Sequence, residues 1–96
     1  LAMKKGELIL EVEDVFSITG RGTVVTGQVM CEYIAVDTPI IIDPEFLPEF
    51  ESNISKIESF RKNLKSASLY DNIGLVLEGV EKKQVKKKMK IYKSIT

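Results

Sequence analysis

The chain contains no histidine and no tryptophan, and only one cysteine and three prolines in 96 residues. Without histidine it lacks the side chain that titrates near neutral pH and most often ligates zinc. No nucleophile–base pair and no metal cluster can be assembled in the usual ways, so the sequence predicts a protein that is not an enzyme and carries no metal or cofactor. Cys31 has no partner for an intramolecular disulfide, which fits a reducing compartment and predicts a cytoplasmic protein. No apolar run approaches the ~20 residues that a spanning helix requires, so no membrane partner is expected.

What is present is ordinary for one globular core: 44% hydrophobic and 29% charged residues, in a length that supports a single domain. That domain is expected over residues 8–96. Residues 1–7 read as an N-terminal extension, with Leu1 and Ala2 a cloning remnant ahead of a native start at Met3. Formal net charge is zero but unevenly spread. Residues 1–53 hold three basic and ten acidic side chains, and residues 54–96 hold eleven basic and four acidic, giving halves of -7 and +7.

The apolar pattern is that of strands. Leu8, Leu10 and Val12 alternate with Glu11 and Glu13, and Asp14-Val15-Phe16 extends the run. Gly20-Arg21-Gly22 supplies a reversal before the β-branched Thr23-Val24-Val25-Thr26. Pro39–Ile42, Asn53–Phe60, Asn72–Gly79 (with Ile73, Leu75 and Leu77 inward) and Met89–Lys93 follow, while 80–88 fits either a helical turn or a polar loop. Six or seven short strands with turn residues between them predict an all-β fold, a small closed antiparallel β-barrel.

Gly22 and Gly27 have the spacing of a phosphate-binding loop. Gln28-Val29, however, stand where its lysine and hydroxyl belong, and a strand follows instead of a helix. The glycines are better read as a tight turn and a point of close backbone approach. The run Val12–Gly27, with Ile57-Glu58-Ser59-Phe60-Arg61-Lys62 and Asp71–Val80 further on, resembles the second domain of translation elongation factor Tu, in the same order and over nearly the whole chain. That resemblance implies the translation-factor type of β-barrel, without a GTP site of its own. It also implies a surface for the aminoacylated acceptor end of transfer RNA. By position, Glu13, Asp14, Phe16, Thr26, Glu58, Arg61, Asp71 and Asn72 correspond to the family's residues around the terminal nucleotide. A phenyl ring, an amide and carboxylates suit a base that needs an apolar wall and a ribose whose 2′-hydroxyl needs an acceptor.

Each of these residues also has a plainer reading. Phe16 can be core, Glu13 a surface partner of Arg61 or Lys62, and Asn72 a turn residue bonded to backbone. Lys62, Lys82, Lys83, Lys86, Lys87 and Lys88 read either as a solvated basic segment or as a contact for RNA phosphates. Glu32, Asp37, Tyr70 and Lys88 occupy turn positions where the family carries glycine, so the turns are expected to have shifted, and Glu78 replaces a family arginine. The partners implied are a transfer RNA acceptor end or the ribosome, with a GTPase domain in trans or in the same polypeptide. The rival expectation is a protein-interaction or regulatory barrel without the transfer RNA role, docking through Phe46, Leu47 and Phe50 in the Pro44–Pro48 region.

Overall fold

Thr23-Val24-Val25-Thr26 is β-branched throughout, which suits a pleated surface, and it forms the middle of β3 (Gly22–Gln28). β3 pairs with β2 (Asp14–Ile18) through the glycine turn and with β9 (Asn72–Leu77) on its other side. The computed structural model describes residues 3–95, so the reading of Leu1 and Ala2 lies outside the described residues. The remaining elements are β1 (Lys5–Glu11), β4 (Tyr33–Ala35), β5 (Pro39–Asp43), β6 (Phe50–Ser59), β7 (Lys62–Leu64), β8 (Ser66–Ser68), β10 (Lys90–Ser94) and a 3₁₀ turn at Lys82–Gln84. One sheet runs in the order β1-β10-β5-β6-β9-β3-β2, with β7 added to β6, and β4 with β8 forms a separate ribbon. Every pairing is antiparallel, and the fold is all-β. No helix among the described residues is long and apolar enough to cross a membrane.

The strand number differs from expectation: the described residues hold ten strands, not six or seven. The additional ones, β4, β7 and β8, are three residues each, too short to show a period-two pattern. β1 begins at Lys5, inside the segment read as an extension. Its inward set also differs. Ile9 and Leu10 are both fully buried while Leu8 is only half-buried, because irregularities in the β1–β10 register break the alternation twice. In β9 the whole run Ile73–Leu77 is buried, since this strand lies between β3 and β6 and Val24 and Val76 cover its outer side. Segment 80–88 turns out to be both alternatives in succession, the 3₁₀ turn and then a loop.

Of the four turn residues expected to mark shifted turns, Asp37, Tyr70 and Lys88 have a left-handed backbone and Glu32 does not. Asp37 has φ 66°, Tyr70 73° and Lys88 76°. Each donates its N–H across the fold, to the carbonyls of Ile54 (2.7 Å), Val29 (2.8 Å) and Val12 (2.8 Å). These bonds hold the residues in a conformation that costs roughly 1–2 kcal/mol apiece for an L side chain.

β1 is clasped at its start. Lys5 Nζ lies 3.1 Å from Asp43 and 2.9 Å from Glu49, and 5.0 Å from the Tyr92 ring centroid. The Glu45 N–H, then Lys5, hold the Asp43 carboxyl below its ordinary 3.8, and Glu49, then Asp43, hold the Lys5 ammonium above its ordinary 10.5. A depressed acid contributes above its unfolded value and loses that contribution as pH falls. A raised amine contributes below its unfolded value and loses it as pH rises through the folded one. The clasp is therefore expected to stay closed from about pH 5 to pH 10 and to open in acid first. Both groups meet solvent, so the expected result is local fraying: below about pH 4, amide exchange at Glu45, corrected for intrinsic rate, should accelerate without loss of the core signal. Protection of that amide that stays unchanged over the whole acid range in which the core remains folded would contradict the clasp.

Candidate functional site

Residues that face each other across β-strands share a face, and the register places two rows of side chains on the outer side of the β2-β3-β9-β6 surface. One row is Phe16, Val24, Val76 and Lys56; the next is Asp14, Thr26, Gly74 and Glu58, continued by Asn63 on β7. Gly74 interrupts the second row with no side chain, leaving a trough of about 560 Å³ between Thr26 and Glu58. Phe16, Arg21, Phe60 and Arg61 wall it. A second hollow adjoins it past Gly74, at Glu13 and Asn72, and a third past Phe60, at Tyr70 and Asp71.

Of the eight residues singled out by resemblance, Phe16, Thr26, Glu58 and Arg61 line the trough, while Glu13 and Asn72 line a second hollow and Asp71 a third, both adjoining it at Ser59 and Phe60. Asp14 does not line it; its carboxylate holds Lys87 Nζ at 3.2 Å. Phe16 is not core, being 47% exposed on the trough wall. Among the described residues Glu13 makes no ion pair with Arg61 or Lys62, and the carboxylate paired on the trough is Glu58. A single Arg21 nitrogen, Nη1, donates to both its oxygens at 3.0 and 3.1 Å. The turn role expected of Asn72 belongs to its neighbour. The Asp71 carboxylate accepts the Ser68 N–H at 2.9 Å and the Ser68 hydroxyl at 3.3 Å, closing the β8–β9 turn.

The residue that sequence reading missed is Phe60. It was assigned to a strand end, but Phe60 (φ 48°) and Arg61 (φ 65°) are the two central residues of the β6–β7 hairpin, both left-handed. Such a turn normally announces itself as Asn-Gly, and a phenylalanine gives no such signal. Phe60 is 95% exposed, so its ring covers nothing of the core that would offset the backbone strain. Strain held at an exposed aromatic beside a trough points to use in binding. Arg21 was likewise read only as a turn residue between two glycines, yet the positive φ of Gly20 and Gly22 (82° and 94°) is what swings its guanidinium back over the trough.

The lysine run does not form a single patch. Lys82 and Lys83 sit on the 3₁₀ turn against β2, with Lys83 paired to Glu81 at 3.4 Å. Lys87 turns to Asp14, and Lys88 faces another hollow with Asp43, Glu45, Lys90 and Tyr92. Lys86 is exposed between them, and Lys62 pairs with Ser59 in the hairpin beside the trough. Among the described residues, the free cations on the trough itself are therefore Lys56 and Arg61. The sequence matches no protein-family model.

Proposed function

We propose that the chain is a non-catalytic, cytoplasmic, translation-factor-type barrel that binds the single-stranded end of an RNA, in first place the acceptor end of transfer RNA, in the trough between Phe16 and Phe60. The observation that supports this reading is that four of the residues the resemblance singles out, Phe16, Thr26, Glu58 and Arg61, line one trough together with the exposed ring of Phe60 and the cation of Lys56. A base stacks between rings irrespective of sequence, and each stacked base contributes about 1–3 kcal/mol. Lys56 and Arg61 neutralise phosphate, while Glu13 and Thr26 offer acceptors to a ribose hydroxyl.

Two features support the closed-barrel form of the fold. β1, one end of the sheet path, comes back against β3 near the other end, through the backbone bond from Met30 to Ile9 (2.7 Å) and the close approach of Gly27 to the Glu11 carbonyl. Asp37, Tyr70 and Lys88 also keep the left-handed backbone that glycine provides in elongation factor Tu domains. A GTPase domain, in trans or in the same polypeptide, is the companion this reading implies.

The test is titration of labelled transfer RNA, aminoacylated and free, against salt. Binding should weaken steeply with salt. Phe60→Ala should lower affinity about tenfold, by loss of one stacked base, without lowering the melting temperature. Absence of binding at low salt, or full affinity in Phe60→Ala, would remove the reading.

A further inference from the structure

The hairpin between β5 and β6 is built as a rigid knob. Pro44 is buried, Glu45 is left-handed (φ 69°) with its N–H on Asp43 Oδ1 at 2.8 Å, and the Phe46 N–H returns to the Pro44 carbonyl at 2.8 Å. Lys5 ties Asp43 to Glu49 across its base. Phe50 turns in and packs on the core, whereas Phe46 (89% exposed) and Leu47 (66%) are held outward. Two apolar side chains on a braced loop, flanked by the unpaired carboxylates of Glu45 and Glu51, form a preorganised docking element with acidic edges.

The complementary surface is on the same chain. The trough offers apolar rings at Phe16 and Phe60, free cations at Lys56 and Arg61, and about 560 Å³ of space, enough for a phenyl side chain and its neighbour. Knob and trough lie at opposite ends of β6, the knob preceding Phe50 and the trough reaching Phe60, about 30 Å of strand apart. The braced loop cannot reach its own trough. We propose that the acidic Phe46-Leu47 knob of one copy docks in the aromatic trough of a second copy of this chain, its flanking carboxylates meeting Lys56 and Arg61 beside the closed Arg21–Glu58 pair, giving head-to-tail self-association. Such a contact is heterologous and leaves one knob and one trough free at the ends, so it propagates. The zero net charge removes the overall repulsion that would otherwise oppose it. RNA and the knob compete for one surface, so assembly and RNA binding exclude each other.

The experiment is sedimentation velocity on the wild type and on two surface variants, Phe46→Asp/Leu47→Asp and Lys56→Glu/Arg61→Glu, each first shown to melt like the wild type. The wild-type mean mass should rise with concentration and fall with added salt. Each variant alone should be monomeric, with association weakened at least tenfold, yet the two mixed should give a dimer of one copy each and nothing longer. A wild type that stays monomeric up to about 1 mM would overturn the proposal, because contacts weaker than that are not specific recognition. So would a knob variant that associates like the wild type, or a mixture that stays monomeric. If transfer RNA binds but no self-association occurs, the RNA reading stands and this one falls. If self-association occurs without RNA binding, the reverse holds.

Discussion

Gly27→Ala is expected to destabilise the protein by about 3 kcal/mol, the top of the range for inserting a methyl into a filled site, and Gly27→Val to prevent folding. A Cβ at position 27 would lie 2.6 Å from the Glu11 carbonyl oxygen and 3.2 Å from Leu10 Cδ1. The closest atom belongs to backbone, so no rotamer change relieves the contact, and β3 would have to move away from β1. That movement would also pull on the Met30 to Ile9 backbone bond that joins these two regions. Gly74→Ala is the control: its Cβ would meet Val24 Cγ1 at 3.2 Å, a side-chain atom that can yield, and should cost no more than about 1 kcal/mol. For a domain of this size, 3 kcal/mol lowers the melting temperature by roughly 12–24 °C. Equal melting temperatures for the two alanine variants would show that β3 and β1 do not approach as closely as described.

The close approach at Gly27 was legible because a glycine inside a β-branched run has no propensity reason to be there. The same logic did not extend to the ends of strands. Phe60-Arg61 occupies a turn whose residue preference it violates, so local chemistry pointed to Phe60 as a strand end, and only the pairing of β6 with β7 shows the reversal. β4 and β8 are held by their pairing with each other and by neighbouring core residues such as Ile34 and Ala67, information that three-residue segments do not carry. In the site, Phe16, Thr26 and Glu58 come to one face because strand pairing puts them there, which alternation along each strand makes legible. Asp14 and the lysines depended on where long side chains turn, and ion pairs such as Lys87 with Asp14 decide that only after the chain has folded.

Leu75→Ala is expected to cost about 3–4 kcal/mol, within the range for truncating a fully buried leucine in a site that cannot collapse. Leu75 is 0% exposed on the central strand β9, in register with Val25 on one side and Ile57 on the other, themselves fully buried. β9 is hydrogen-bonded along both edges, so its neighbours cannot close in on a missing side chain without breaking the register that sets the trough floor at Gly74. Against a total stability of about 5–15 kcal/mol this is a large share, and the variant should melt roughly 12–30 °C below the wild type. Alternation separates its effect from that of a binding residue. Leu75 points inward and Gly74 outward, so well below its melting temperature Leu75→Ala should bind RNA with nearly wild-type affinity. Phe60→Ala should do the opposite, losing affinity while melting normally or slightly higher. Calorimetry and RNA titration on the two variants together check this. If Leu75→Ala lost affinity while still fully folded, the trough would depend on core packing more tightly than the two faces of β9 imply.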